Sequence, residues 1–238
     1  MTRVLALQHT WDDPTGTLGE MLAHYGIDCD TVDVEKHPLP AIEGYDAFIS
    51  LGGPQHAGAD EKHPYLVEEK ALIRKVVERD MPYLGICLGG QLLAHVLGGP
   101  VRRHHLTEIG FYEVQLTENG KTDPLFQGLP GYQQVIHWHE DIFELPRGAV
   151  QLATSEDTPN QAFRFGRRAY GLQYHIELTP EMLDTWLTYP QYRQEIISIL
   201  GPDVPEHIQG ERAARYPVYR AHTMQVFENF LRIAELIP

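Results

Sequence analysis

The sequence predicts an α/β fold: an open, mostly parallel sheet with helices on both faces, an antiparallel extension and a helical C-terminal tail. Three observations carry this. Short apolar runs alternate with helix-spaced segments through residue 100, the pattern of parallel strands joined by helical crossovers. Those runs are continuous rather than alternating, as expected of strands covered on both faces. From residue 110 short strands follow one another without long helices between them, and helical spacing returns after Thr179-Pro180.

Val4–Leu7 reads as the first buried strand. Thr17–Tyr25 has helical spacing and stops at Gly26, a C-terminal helix signal. Asp28–Asp33 and Tyr45–Leu51 are the next strands, the latter closed by Gly52-Gly53-Pro54. Tyr65–Glu78 is an amphipathic helix, Pro82–Cys87 a fourth strand, and Gly90–Leu97 a helix ended by Gly98-Gly99-Pro100. Segments 110–118, 132–136, 150–154, 161–165 and 169–174 read as short strands. Pro180–Leu187 is a helix. Pro217–Leu236 is another, with Pro217 at the first helical position, where its missing N–H is tolerated. The stretch between these two helices is expected to be irregular. No repeat or linker divides the chain, so residues 1–238 are expected to form one domain, with a core at 1–180 and a helical extension at 181–238.

The chain carries 19 Lys and Arg against 33 Asp and Glu, a net charge of −14. That balance disfavours nucleic acid, whose nonspecific binding rests on cationic side chains, and an anionic membrane surface. No apolar run approaches the ~20 residues of a membrane span. Met1–Leu7 is too short for a signal peptide, and the expected location is the cytoplasm. The two cysteines, Cys29 and Cys87, then each need an explanation as a thiol.

For Cys87 the explanation lies in Gly85-Ile86-Cys87-Leu88-Gly89-Gly90-Gln91, which ends an apolar strand and opens an apolar helix. This is the G-x-nucleophile-x-G pattern of a strained strand-to-helix turn, with Cys as the nucleophile. The turn lifts Sγ to the carboxyl edge of the sheet, where open α/β folds bind ligands. A helix N-terminus also favours the thiolate, and the Leu88 N–H points where an oxyanion would form. His175 follows another apolar strand, and Glu177 stands two residues on. Together Cys87, His175 and Glu177 supply a nucleophile, a base and a group that orients the base. The structural alternatives are a buried Cys at a glycine-rich turn and a satisfied core His.

On these residues the chain resembles the class I glutamine amidotransferases, the Cys-His-Glu glutaminase domains. Within them it is most similar to the amidotransferase domain of GMP synthetase and its stand-alone relatives. Across residues 45–180 the blocks fall in family order. Ser50–Pro54 resembles the oxyanion loop and Gly85–Gln91 the nucleophile block. Leu97-Gly98-Gly99 and Glu108-Ile109-Gly110 follow. His137-Trp138-His139-Glu140-Asp141 resembles the segment holding the substrate's amino-acid end, and Gly171–Glu177 the His-x-Glu block. The resemblance implies a flavodoxin-like fold and attack of the Cys87 thiolate on the glutamine side-chain amide. It implies an oxyanion held by the N–H groups of Gly53 and Leu88. His175 would protonate the ammonia and then activate water, while Glu177 fixes its tautomer. Gly52, Gln91, His139, Glu140 and Asp141 would bind substrate. No metal and no cofactor are implied. Gly90 stands where the family commonly has His, and Ile176 where it commonly has Pro; neither is expected to alter a reacting group.

Neither a Gly-x-x-x-x-Gly-Lys-Ser/Thr loop nor a Ser-Gly-Gly-x-Asp-Ser segment occurs, so the chain is expected to be at most the glutaminase half of a synthetase. Three readings follow. The first is a subunit delivering ammonia to a separate ATP-dependent synthetase. The second is a stand-alone γ-glutamyl hydrolase acting on peptides or amines. The third is a non-enzymatic binding protein on the same scaffold. His104-His105 is expected in a solvated loop and Cys29 as an inert core thiol; Trp11-Asp12-Asp13, at the sheet's carboxyl edge after the first strand, is weighed as lining the site and set below a plain loop. A zinc site at His137-x-His139 is weighed and set below substrate binding.

Overall fold

The computed structural model describes residues 2–238; Met1 lies outside the described residues. Strands β1 (Arg3–Gln8), β2 (Asp28–Asp33), β3 (Ala47–Ser50) and β4 (Tyr83–Ile86) are joined by helices α1 (Gly16–His24) and α2 (Tyr65–Glu78). Helix α3 (Leu88–Val96) leads to two long strands, β5 (Val101–Leu116) and β6 (Tyr132–Phe143), separated by the short helix α4 (Glu118–Thr122). Then come β7 (Val150–Thr154), β8 (Ala162–Phe165) and β9 (Ala169–Leu172). The chain ends in α5 (Pro180–Thr188), α6 (Pro190–Leu200) and α7 (Val204–Ile233).

The strands form a 9-stranded sheet in the order β2-β1-β3-β4-β9-β8-β7-β5-β6. The first five of that order are parallel, and β9 continues into the antiparallel extension through β8. The fold class read from the sequence therefore stands, and the late strand β9 pairs with β4. Side chains alternate between the two faces of a strand. Val4 and Ala6 pack with Leu18 and Leu22 of α1 and with Phe227 and Phe230 of α7. Leu5 and Leu7 pack with Ile73 of α2 and Leu92 of α3 on the other face. A third cluster joins Ile109, Phe111 and Ile136 of the extension to Leu183 and Trp186 of α5, Ile196 of α6 and Tyr219 of α7.

Three sequence expectations need correction. The strands expected at 110–118 and 132–136 begin at Val101 and run to Phe143. Their added halves are polar, and a register shift between Arg103 and Glu108 breaks their alternation, so they carry no strand pattern. His104 therefore lies on β5, buried beside Thr158, with Nε2 3.2 Å from its Oγ1. The stretch expected to be irregular is helical: Pro190 and Pro205 stand in the first turns of α6 and α7, the position where proline is tolerated. Pro217 lies inside α7 instead of starting it. An interior proline costs about 3 kcal/mol; the burial of Tyr216, Tyr219, Val226 and Phe227 along the same helix offsets it.

Candidate active site

Cys87 occupies the single residue between β4 and α3, at φ 48° and ψ −105°. A non-glycine residue held so costs about 1–3 kcal/mol and persists only where its surroundings fix it. The glycines around it do the fixing. A Cβ at Gly85 would lie 2.4 Å from the Gly89 carbonyl, one at Gly89 2.1 Å from the Ser50 oxygen, and one at Gly90 2.5 Å from the Leu172 oxygen. Helix α3 thus sits against the strand ends, and the Cys87 N–H donates to Leu172 O at 2.8 Å. Gly90 is explained by this approach: any side chain there meets the main chain of β9.

His175 lies three residues beyond β9, held by its N–H donating to Ile136 O at 2.9 Å. Its Nδ1 is hydrogen-bonded to Glu177 Oε1, and its ring shares the cavity with the Cys87 side chain, close enough for each to act on the other's charge. Cys87 Sγ also lies 3.8 Å from the Trp138 carbonyl. Glu177 is buried behind His175, and its Oε2 accepts from the Ile176 N–H at 2.8 Å. A proline could not make that bond. The Ile176 departure therefore adds a bond to Glu177 and leaves Cys87, His175 and Glu177 themselves in place.

Burial pulls the His175 imidazole down, but the Cys87 side chain, Asp13 and the Trp138 carbonyl outweigh it and hold the ring above its ordinary value. Burial lifts Glu177 to about 7, although the adjacent Asp13 and the local backbone N–H groups act against the rise. Asp13 is likewise lifted well above its ordinary value, first by burial and then by the Glu177 charge. Asp13 was expected in a plain loop; instead it is buried at the site, and a Cβ at Gly52 would lie 2.5 Å from its Oδ2 and 2.7 Å from His175 Cε1. The acidic pair Asp12-Asp13 at the sheet's carboxyl edge was the available signal.

The other expected residues fall around the same place. Gly53 lines the cavity, and a Cβ on it would meet Leu88 Cδ2 at 3.1 Å, so the two N–H groups assigned to an oxyanion belong to adjoining segments. Gln91 Nε2 donates to Asp141 O at 2.9 Å and so holds the 139–141 segment. Asp141 faces the cavity, 3.9 Å from His56. Glu140 lines it too, paired with Arg103. His139 is buried with Nε2 3.1 Å from Glu108 Oε2. Burial opposes ionisation of Glu108, but His139, the nearby His137 and Thr158 take it down to about 2. Behind Gly52-Gly53, Glu69 bridges buried His9 and Ser50, each at 2.7 Å.

Glu108, His137 and His139 have ligand atoms within 4.8 Å of one another, as do Asp13, His175 and Glu177. The first group is already a paired carboxylate and imidazole. Burial drives His137 well below its ordinary value, so its ring is neutral. Cys29 is half-buried on β2, and burial raises its thiol. A disulfide with Cys87 is absent.

The cavity holds about 320 Å³. One wall comes from the C-terminal helices: Trp186 of α5 and Tyr192 and Glu195 of α6. No signal in the sequence brings Tyr192 to Cys87.

The pattern of the glutamine amidotransferase class-I family matches residues 13–192. The chain belongs to this family. It is 34% identical over 180 residues to the glutamine amidotransferase-like protein YfeJ of Salmonella typhimurium, covering 74% of each chain. To the glutamine-hydrolysing GMP synthase of Bacillus subtilis it is 39% identical over 152 residues, 61% of this chain and 28% of that one. A glutamine amidotransferase crystal structure from Thermotoga maritima superposes with a TM-score of 0.84 at 32% identity, covering 98% of both chains. That match extends the likeness of this class I amidotransferase through its C-terminal helices. Among the described residues no helix is long and apolar enough to cross a membrane.

Proposed function

We propose that this class I glutamine amidotransferase is a cysteine amidohydrolase that cleaves the side-chain amide of glutamine or of a related γ-glutamyl compound. The observation that carries the reading is the nearness of Cys87, at its positive-φ turn, to a His175 whose other side is hydrogen-bonded to Glu177. The Cys87 thiolate attacks the amide carbon. The N–H groups of Gly53 and Leu88 hold the oxyanion, and each such donor typically lowers the barrier by about 2.7–4 kcal/mol. His175 protonates the departing nitrogen, leaving a γ-glutamyl thioester, then takes a proton from the water that releases glutamate. Glu177 holds the ring tautomer and stabilises the imidazolium. Asp141, Glu140, Gly52 and the main chain that Gln91 steadies at 139–141 take the amino-acid end.

Two settings fit this chemistry. In one, a separate synthetase consumes the ammonia, as the likeness to part of a GMP synthase suggests. In the other the chain acts alone as a γ-glutamyl hydrolase. The wall contributed by α5 and α6 supports the second, because the chain's own C-terminal helices bound the space beyond the scissile amide. A glutamine-like electrophile should label Cys87 and not Cys29, with the mass shift lost in Cys87→Ser while the urea midpoint holds. Labelling at Cys29, or full hydrolysis by Cys87→Ser, would overturn the reading.

A further inference from the structure

We infer that the natural substrate is a γ-glutamyl amide whose leaving amine carries a second, positively charged group; this rests on the amidohydrolase reading above. Ammonia, the leaving group of glutamine, needs no wall. This site has a large one. Trp186 packs edge-on to the His175 ring with centroids 4.9 Å apart. Trp138 meets Trp186 at 5.3 Å and Tyr192 at 5.7 Å. From Tyr192 the run continues outward to Tyr189 at 5.2 Å and then to Trp11 at 5.5 Å. Trp11 is 59% exposed and Tyr189 38% exposed. An unbroken aromatic track thus leads from the imidazole to solvent. At about 320 Å³ the cavity also reaches the range of sites for ligands larger than one amino acid, roughly 300–1,000 Å³.

The charges along the track select the ligand's sign. Asp12 lies against the Tyr192 hydroxyl, and Glu195 accepts from Trp138. Glu140 and Asp141 complete four cavity carboxylates besides Asp13. Against them stands the Arg103 guanidinium, already paired with Glu140. Asp12 is hydrogen-bonded to Thr10 and Tyr192 and has no ion-pair partner among the described residues. Aromatic faces attract cations, and interleaved carboxylates add to that attraction while repelling anions. With Asp141 engaged by the amino-acid end, Asp12 and Glu195 remain for the amine half.

The step balances as a hydrolysis. Cys87 Sγ bonds to the γ-glutamyl carbonyl carbon as its C–N bond breaks, and the nitrogen leaves with the proton from His175. Water then cleaves the thioester to glutamate and regenerates the thiol. The charged far end of the amine does not react; it only binds along Tyr192, Trp138 and Glu195.

The test compares the mono-γ-glutamyl amides of 1,4-diaminobutane, n-butylamine and 4-aminobutanoate, which are cationic, neutral and anionic at nearly equal length, with glutamine as reference. The expected kcat/KM is tenfold or more higher for the diamine amide than for the butyl amide, and lowest for the anionic one. In Glu195→Gln the ratio of diamine to butyl amide should fall toward one, and added salt should lower it in the wild type. Equal turnover of the three amides, a preference for the anionic one, or turnover of glutamine alone would overturn the inference and leave the amidohydrolase reading standing. Failure of every compound, glutamine included, to acylate Cys87 would overturn both.

Discussion

Replacing Gly90 by alanine tests how tightly the nucleophile turn is coupled to the strand that carries the base. The new Cβ would lie 2.5 Å from Leu172 O and 3.0 Å from Leu172 N. The first contact is roughly 0.9 Å inside ordinary van der Waals approach, and a close-packed interior has no void to absorb it. Overpacking of this kind costs about 1–3 kcal/mol. Alanine in a helix interior recovers up to about 1 kcal/mol over glycine. The expected net loss of stability is therefore modest, at most about 2 kcal/mol. Activity should suffer more. Leu172 O accepts the Cys87 N–H at 2.8 Å, and His175 follows three residues later, so moving this carbonyl displaces the base relative to the thiol. A misplacement of about 1 Å costs on the order of 100-fold in rate, or about 2.7 kcal/mol of barrier. Ammonia release from glutamine and urea unfolding of the same preparation read the two effects separately. A variant that is more stable than wild type and fully active would refute the coupling, because it would mean that β9 yields without carrying His175.

Three further outcomes are expected. Asp13→Ala removes the neighbour that holds Glu177 down, so the acidic limb of kcat/KM should move to higher pH, and Asp13→Asn, which offers an N–H donor there, should restore it; identical limbs would remove Asp13 from the site. Because the folded Asp13 carboxyl is raised, its contribution to stability is complete below its ordinary value and is lost as pH rises through the folded value, so Asp13→Asn should gain on wild type in urea midpoint toward alkaline pH. Ile176→Pro deletes the 2.8 Å bond to Glu177 and should cost about 1–3 kcal/mol in urea unfolding, again with the acidic limb displaced upward; an unchanged profile would show that this bond is dispensable. Glu69→Gln breaks the buried link to His9 and Ser50 and should cost about 3–5 kcal/mol by the same measurement, a loss too large to survive if solvent already reached His9.

The parallel half of the fold was legible because its rules are local. Apolar runs such as Val4–Leu7 and glycine stops such as Gly26 determine their own neighbourhoods. The placement of Cys87, His175 and Glu177 was legible for a related reason: strand ends in a parallel sheet share one edge, so residues just past β4 and β9 meet once those strands are adjacent. What escaped was set by tertiary contact. His104 is buried by Thr158, on a half-strand with no alternation. Asp13 is an ordinary loop acid until Gly52 and Glu177 close over it. Tyr192 and Glu195 reach the cavity only because α6 folds back, and prolines that punctuate a sequence proved to open its helices.

The final helix bears on when this protein becomes competent during synthesis. The main chain just after Glu177 is tied to α7: the Leu178 N–H donates to the Tyr219 hydroxyl at 3.0 Å, and the Tyr216 hydroxyl donates to Leu178 O at 3.1 Å. A ribosome that has released Cys87, His175 and Glu177 has still to translate the tyrosines that anchor this segment. Cys87 is thus made well before the segment after Glu177 is anchored. A nascent chain stalled before Tyr216 would carry Cys87, His175 and Glu177 without that clamp.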